Sequence, residues 1–192
     1  MNRGIRPIIS LPHSRQTCAS PPWPTPLRKA VRMNTPSLFV RPSTPQDEPQ
    51  LLAILERTFE DTWRPQLTDA AIAAYRNDRV AERFVAEHGA AFFVAQIDDW
   101  IAGFAHRDGG FVDALHVLPR ARRRGVGRLL MDAVEAAMRA DGVTLAALET
   151  DTFNEGSQGL YLALGYVEVA RYPDEEWNSG LITIRYEKSL AP

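Results

Sequence analysis

Residues 122–127 read Arg-Arg-Arg-Gly-Val-Gly, and they lie between a stretch typical of a β-strand and a stretch typical of an α-helix. The glycines at 125 and 127 allow the backbone to turn its N–H groups toward one point, and they leave room for a ligand to approach. A helix that begins here adds unpaired N–H groups and the positive end of its dipole. The segment therefore predicts an anion pocket, and phosphate is its natural occupant.

Two well-known phosphate-binding loops differ from this one. A Walker loop carries Gly-Lys-Ser/Thr after its last glycine, whereas Gly127 is followed by Arg128 and Leu129. A dinucleotide fingerprint would need a third glycine at Leu130 and an early βαβ unit. For the loop taken by itself, a solvated run of charge at the start of a helix stays open as an alternative.

The pattern around this loop predicts an α+β domain. Before the loop, three runs rich in β-branched and aromatic residues are separated by turn signals at 98–99 and 108–110, which indicates an antiparallel meander. After it, an amphipathic helix ending near Gly142 is followed by a strand, a short helix and two closing strands. The expected order is β-α-α-β-β-β-α-β-α-β-β, a mixed and mostly antiparallel sheet of about seven strands flanked by helices.

Each element has an expected range. The strands are expected at 38–41, 91–97, 101–106, 111–117, 144–150, 167–171 and 181–187. The helices are expected at 46–60, after the N-cap residue Thr68, and at 80–87, 127–141 and 155–164.

The first 37 residues differ in composition from the rest of the chain. They carry seven prolines with little apolar periodicity, which is typical of a disordered segment. Three interpretations stay open: a solvated tail, an Arg-rich targeting segment, or translation from an upstream start with Met33 as the true first residue. So many prolines disfavour the amphipathic helix of a targeting segment. We therefore expect a basic, Pro-rich tail over 1–37 and one folded domain over 38–192.

Charge is divided along the chain. Up to Arg41 there are seven Lys+Arg and no acid, so 15 of the 22 Lys+Arg remain against 24 Asp+Glu, a net charge of −9 beyond that residue. An acidic domain disfavours a nucleic-acid surface and suits a cationic substrate.

Some protein classes are excluded by composition. No apolar run approaches the roughly 20 residues that span a bilayer, and the N-terminus lacks the apolar segment of a secretory signal. The single cysteine, Cys18, rules out a disulfide framework and a Cys-based metal cluster. We expect a cytoplasmic protein that binds neither a membrane nor a metal, and a homodimer stays open.

Two motifs in the expected order resemble the signatures of the GNAT superfamily of N-acetyltransferases. The loop matches the family's pyrophosphate signature, Arg/Gln-x-x-Gly-x-Gly/Ala, and follows a strand that carries Leu115-His116-Val117 and the proline at 119. The second signature resembles 154–166, where Ser157 replaces the usual alanine and Tyr166 the usual Phe. The resemblance covers about 38 to the C-terminus, and it implies the family's fold and acetyl-CoA as the donor.

The resemblance also implies which residues hold acetyl-CoA. Main-chain groups of the strand should pair with the pantetheine arm, as an added strand would, and the loop amides should hold the pyrophosphate. Asn154 is expected to contact the arm, although an N-cap is its alternative role. The cofactor residues expected are Leu115, His116, Val117, Arg122, Arg123, Arg124, Gly125, Val126, Gly127, Arg128 and Asn154.

Tyr161 matches the family's catalytic tyrosine. A phenol with a pKa of about 10 stays protonated at neutral pH and can protonate the departing coenzyme A sulfur. Its alternative role is that of a core aromatic residue beside Leu160 and Leu164. The N–H of Val117 is expected to donate to the thioester oxygen as charge builds there.

The general base is left open among several groups. An alkyl ammonium with a pKa of about 10 must lose a proton before it attacks the thioester. Asp113 and Glu149 are the first candidates and Asp151 follows, while His116 alternates to the opposite face of the sheet from Leu115. A chain of water molecules could replace them all.

The expected activity is direct transfer of acetyl to a primary amine of a small molecule or protein in a ternary complex. No suitable cysteine exists for a covalent acyl-enzyme. The amine should contact carboxylates and aromatic faces. The alternative to this activity is a non-catalytic acyl-CoA-binding sensory module. The acceptor residues expected are Glu60, Asp61, Trp63 and the run Asp174-Glu175-Glu176-Trp177.

Overall fold

The computed structural model describes residues 37–174 and 179–191 of the 192-residue chain. Seven strands form one sheet in the order β1-β2-β3-β4-β5-β7-β6. Only the neighbours β4 and β5 run parallel, and every other pair is antiparallel. The strands are β1 (Leu38–Pro42), β2 (Phe93–Ile97), β3 (Trp100–Asp108), β4 (Phe111–Val117), β5 (Leu145–Asp151), β6 (Val167–Pro173) and β7 (Ile182–Ser189).

Helices cover both faces of the sheet, and each face has its own apolar core. On one face the core is built around Leu51, Phe84 and Phe104; on the other it is built around Leu130, Met138 and Tyr161. The first face carries α1 (Glu48–Thr58), α2 (Asp69–Asn77) and α3 (Val80–His88), and the second carries α4 (Val126–Ala140) and α5 (Glu155–Ala163).

The expected α+β fold is confirmed, with differences at the ends of some elements. The three helices expected between β1 and β2 are all present, although the expected order of elements counted two. The helix expected at 46–60 is α1 flanked by a 3₁₀ turn (Pro45–Asp47) and by a π-helical turn (Phe59–Trp63). Thr68 caps α2 as expected, because its hydroxyl accepts a hydrogen bond from Ala71 N at 3.2 Å.

The tail expected over 1–37 lies outside the described residues except for Ser37. Among the described helices, none is long and apolar enough to cross a membrane.

Candidate active site

A gap between β4 and β5 is the central feature of the site. The two parallel strands pair only at Phe111 with Ala147 and Val112 with Leu148, although β4 continues to Val117 and β5 to Asp151. Parallel neighbours run about 4.8 Å apart where their hydrogen bonds are formed. Beyond Val112 the strands therefore part, and the edge of β4 is left without a neighbouring strand.

The backbone direction in β4 decides which groups face this gap. Leu118 N donates to Ala102 O at 3.0 Å, and a Cβ on Gly103 would collide with the carbonyl oxygen of His116. Both contacts show that the main-chain groups of His116 point to β3. Since these groups alternate along a strand, the N–H and C=O of Leu115 and Val117 point into the gap.

The loop before α4 presents N–H groups at the same end of β4. Arg123 and Gly125 have φ angles of 61° and 83°, a conformation that favours glycine and that turns successive amides toward one side. Val126, Gly127 and Arg128 form the first turn of α4, where N–H groups have no partner within the helix. In the part of the chain that the structure describes, no backbone carbonyl accepts from the amides of 123–125. An anion can therefore bind to this loop.

Gly127 has a second reason to be glycine. A Cβ at this position would lie 2.9 Å from Cδ2 of Leu160 and 3.9 Å from Cγ2 of Val117. The absent side chain thus lets α5 and the end of β4 approach the first turn of α4. By contrast, a Cβ on Gly125 would meet nothing within 4 Å, so that glycine is required by its φ angle and not by crowding.

The arginines around the loop have different surroundings. Arg120 lies over the Trp100 ring at 4.1 Å, and Arg128 donates to Ala163 O at 3.3 Å, at the end of α5. Arg122 donates to Val117 O and to Thr62 Oγ1, both at 3.3 Å. Arg123 and Arg124 are exposed. These two guanidinium groups are therefore the ones most available to an anion.

The start of α5 is attached to the end of β5. Asn154 is the N-cap, and its side chain accepts from Ser157 N at 3.4 Å. Gln158 Nε2 donates to the carbonyl oxygens of Asp151 and Thr152, at 3.2 Å and 2.8 Å. The capping role of Asn154 is thus observed, while its contact with a cofactor stays a prediction.

Tyr161 lies in the core between α5 and the sheet. It is 6% exposed, and its ring centroid is 6.1 Å from those of both Tyr166 and Tyr186. Burial raises the pKa of its hydroxyl, an effect that Ser157 partly offsets by hydrogen bonding. A phenol in these surroundings keeps its proton at neutral pH, as a proton donor must.

Asp113 has surroundings that alternation along the strand did not predict. It is an extra residue in β4, because Val112 pairs with Arg107 while Ala114 pairs with the next residue, His106. This bulge turns the Asp113 side chain, which is 1% exposed, toward His106. His106 Nδ1 lies 2.7 Å and 2.9 Å from the two carboxylate oxygens, on the face that carries α3. The role of Asp113 as the base stays a prediction, but its carboxylate is enclosed by protein.

Glu149 and Asp151 lie on β5 with different neighbours. Glu149 accepts from Arg185 at 3.2 Å, so its charge is compensated. Asp151 Oδ2 accepts from Trp63 Nε1 at 3.1 Å and has no cationic partner among the described residues. Partial burial, and to a smaller extent the nearby Asp174 charge, raise the pKa of Asp151 to about 6. Asp151 is therefore a carboxylate that can take up and release a proton near neutral pH.

The acidic residues expected to bind the acceptor are only partly available to it. Glu60 forms ion pairs with Arg64 and Arg76, which lower its pKa, and Asp61 pairs with Arg57 at 2.7 Å. Asp174 accepts from Ser179 Oγ at 2.6 Å. Glu175, Glu176 and Trp177 lie outside the described residues. Trp63, by contrast, contacts Asp151 at the gap.

His116 does not direct its main chain to the gap, and its place among the cofactor residues stays a prediction. Its ring lies on the face that carries α1, where Thr58 Oγ1 is 2.8 Å from Nδ1. The Phe104 and Trp63 ring centroids are 5.2 Å and 5.8 Å away. Alternation along β4 predicted this face, but no local signal indicated the contact with Thr58, which is 58 positions away.

Comparison with known proteins agrees with this geometry. Residues 49–166 match the model of the acetyltransferase (GNAT) family. The match covers more than half of the chain and includes β4, the loop, α4 and α5.

Individual relatives cover different shares of the chain. An aminoglycoside N(6')-acetyltransferase type 1 from Klebsiella aerogenes is 41% identical over 61 residues, which are 32% of this chain and 40% of that protein. The matched stretch thus spans less than half of that relative.

Two solved structures share the fold. A GCN5-related N-acetyltransferase from Rhodopseudomonas palustris aligns with a TM-score of 0.64 at 25% identity, over 84% of this chain and 99% of its own. The protein yncA from Salmonella typhimurium, solved with its cofactor acetyl-CoA, aligns with a TM-score of 0.62 at 18% identity. The alignment covers 81% of this chain and 95% of yncA.

Proposed function

We propose that this chain, which belongs to the acetyltransferase (GNAT) family, transfers the acetyl group of acetyl-CoA to a primary amine by direct attack in a ternary complex. The observation that supports this most is the parting of β4 from β5 after Val112 and Leu148. It leaves an opening whose wall carries main-chain groups of Leu115 and Val117 that no neighbouring strand pairs with, and whose end is the first turn of α4.

The donor fits the opening in two parts. The pantetheine arm is an extended chain with amide groups, so it can pair with Leu115 and Val117 as an added strand would. The pyrophosphate can accept hydrogen bonds from the amides of 123–128, with Arg123 and Arg124 supplying positive charge. The acetyl-CoA-bound structure of yncA, which has the same fold, supports this choice of donor.

Tyr161 is proposed as the general acid. When the tetrahedral intermediate collapses, the bond between the carbonyl carbon and sulfur breaks and the thiolate takes a proton. A buried phenol with a raised pKa holds that proton until the leaving group needs it. The N–H of Val117 points into the gap and is proposed to stabilise the oxyanion.

Asp151 is proposed as the base in preference to Asp113 and Glu149. Its carboxylate accepts from Trp63 and has a pKa near the pH at which a general base works best. Asp113 is hydrogen-bonded to His106, and Glu149 is paired with Arg185. Neither of them is as free to accept a proton from an incoming ammonium.

The acceptor is proposed to be a cationic amine. The Asp151 carboxylate and the Trp63 indole offer an ion pair and an aromatic face at one opening. The partial likeness to an aminoglycoside acetyltransferase makes aminoglycosides a first class to test, together with polyamines and peptide amines.

The experiment follows free thiol released from acetyl-CoA with polyamines, aminoglycosides, amino acids and peptides as acceptors. We expect one amine class to stimulate release by at least about tenfold over the rate without an acceptor. Coenzyme A binding without stimulated release would contradict the transferase and favour an acyl-CoA-binding sensory module. The matched control is Glu149→Gln, which removes a β5 carboxylate that is compensated by Arg185 and should leave most of the activity intact.

A further inference from the structure

His116 and Thr58 form a buried contact that the mechanism above does not use. His116 is 7% exposed and Thr58 is 2% exposed. Thr58 Oγ1 is 2.8 Å from His116 Nδ1, and it is also 2.9 Å from Ile54 O and 3.1 Å from Leu55 O. All three neighbours compete for the hydroxyl of one threonine.

The contacts of Thr58 favour one tautomer of the histidine. A threonine hydroxyl has one hydrogen, and Thr58 Oγ1 lies within hydrogen-bond distance of the carbonyl oxygens of Ile54 and Leu55 in α1, which can accept it. In this arrangement the oxygen accepts from His116, whose Nδ1 carries the hydrogen. Burial lowers the pKa of His116 to about 4, so the ring is neutral near pH 7 and its Nε2 has no hydrogen. Nε2 is therefore a hydrogen-bond acceptor.

No described group donates a hydrogen bond to this acceptor. Two buried side-chain nitrogen or oxygen atoms lack a partner in the described chain, and they are His88 Nε2 and Tyr166 Oη. Nε2 of His116 is not one of them, and no described group donates to it. The two ring nitrogens point in divergent directions, so Nε2 is directed away from α1, where Nδ1 is held.

The neighbours of His116 connect it to the proposed amine site. The Trp63 ring lies 5.8 Å from the His116 ring, and the same indole donates to Asp151 at 3.1 Å. His116 also lies between Leu115 and Val117, whose main-chain groups point into the gap. The imidazole and the Asp151 carboxylate thus flank one tryptophan on the face of the sheet opposite α4.

We infer that His116 is an acceptor-binding residue, whose Nε2 accepts a hydrogen bond from the N–H of the incoming amine, and that Thr58 is the positioning residue that keeps this nitrogen unprotonated. The inference rests on the proposed function, since it assigns a further residue to the same site. An amine that has lost one proton still carries N–H bonds, and directing one of them to His116 turns its lone pair away from the ring. Asp151 removes the proton, and His116 orients the nucleophile.

Kinetics on two matched variants test the role of Thr58. Thr58→Val has nearly the same shape but removes the oxygen that accepts from Nδ1, whereas Thr58→Ser keeps it. With the amine that best supports thiol release, we expect Thr58→Val to raise the KM for the amine about tenfold, the effect of one hydrogen bond. The KM for acetyl-CoA should stay the same, and Thr58→Ser should behave as the wild type. An equal effect on both substrates, or no effect, would overturn the inference.

Nitrogen NMR of the whole chain labelled at histidine separates this inference from the proposed function. In the wild type, Nε2 of His116 should have the shift of an unprotonated nitrogen and should move when kanamycin, an aminoglycoside with primary amines, is added. In Thr58→Val the hydrogen should redistribute to Nε2. If no amine stimulates thiol release, the proposed function fails, and the NMR result alone decides the inference. A protonated Nε2 in the wild type would then overturn it.

Discussion

Replacing Asp151 with asparagine should make the protein more stable and less active. The amide side chain of this variant would keep an oxygen for the indole of Trp63, which donates to Oδ2 of Asp151 at 3.1 Å. It would remove the negative charge from a partly buried position that has no cationic partner among the described residues. The variant therefore separates the energetic cost of the charge from the packing of the side chain.

The size of this gain follows from the pKa of Asp151. Burial raises this pKa from the ordinary value of 3.8 to about 6. Between these two pH values the carboxyl group of the folded state holds a proton that the unfolded state has released. The free energy of unfolding of the wild type must then fall as the pH rises from about 4 to about 6. The loss is complete above about pH 6, where it amounts to at most about 3 kcal/mol. Below the ordinary pKa of 3.8 it is absent.

Urea unfolding at two pH values measures this effect. At about pH 8, Asp151→Asn should exceed the wild type by up to about 3 kcal/mol, and at about pH 5 by about half as much. If Asp151 is the base, thiol release by the variant should also fall about 100-fold. A variant no more stable than the wild type at the higher pH, or a gain that does not shrink at the lower pH, would refute the reasoning. Glu149→Gln is the control, and it should show no gain at either pH because its carboxylate is compensated by Arg185.

Three other substitutions test separate parts of the site. Tyr161→Phe should lower kcat about 100-fold with little change in coenzyme A affinity, because only the proton donor is lost; a rate equal to that of the wild type would exclude the acid role. Gly125→Val should weaken coenzyme A binding at least about tenfold in calorimetry, since a β-branched residue is strained at a φ of 83°; unchanged affinity would contradict the loop's role. Asp113→Asn should lower the free energy of unfolding by about 3 kcal/mol, because it disrupts the buried contact with His106. Loss of activity with full stability in that variant would instead identify Asp113 as the base.

The fold could be predicted from the sequence because its signals are local. Asp98 and Gly142 have φ angles of 51° and 78°, as their turn positions predicted, and Thr68 caps α2. Strand β4 has the bounds expected of it. Such features depend on a few neighbouring residues, and the sequence shows those neighbours directly.

Side-chain surroundings could not be predicted equally well, because they depend on distant partners. Alternation along a strand puts Asp113 on the face of Leu115, but the bulge opposite His106 and Arg107 turns it to the other face. Glu60 was expected to meet the acceptor as a carboxylate on a helix, yet Arg76 from α2 pairs with it. Neither the bulge nor the ion pair can be recognised from the pattern of neighbouring residues in the sequence.

Hydrogen exchange of backbone amides, with and without coenzyme A, tests most directly whether the gap and the loop hold the donor. The amides of Leu115 and Val117 and those of 124–127 should exchange more slowly when coenzyme A is bound. The amide of His116 should change little, because its main-chain groups already face β3, and it serves as an internal control. Protection of the loop together with the two gap-facing amides would support the account. Coenzyme A that binds without slowing exchange at Leu115, Val117 or the loop would contradict it.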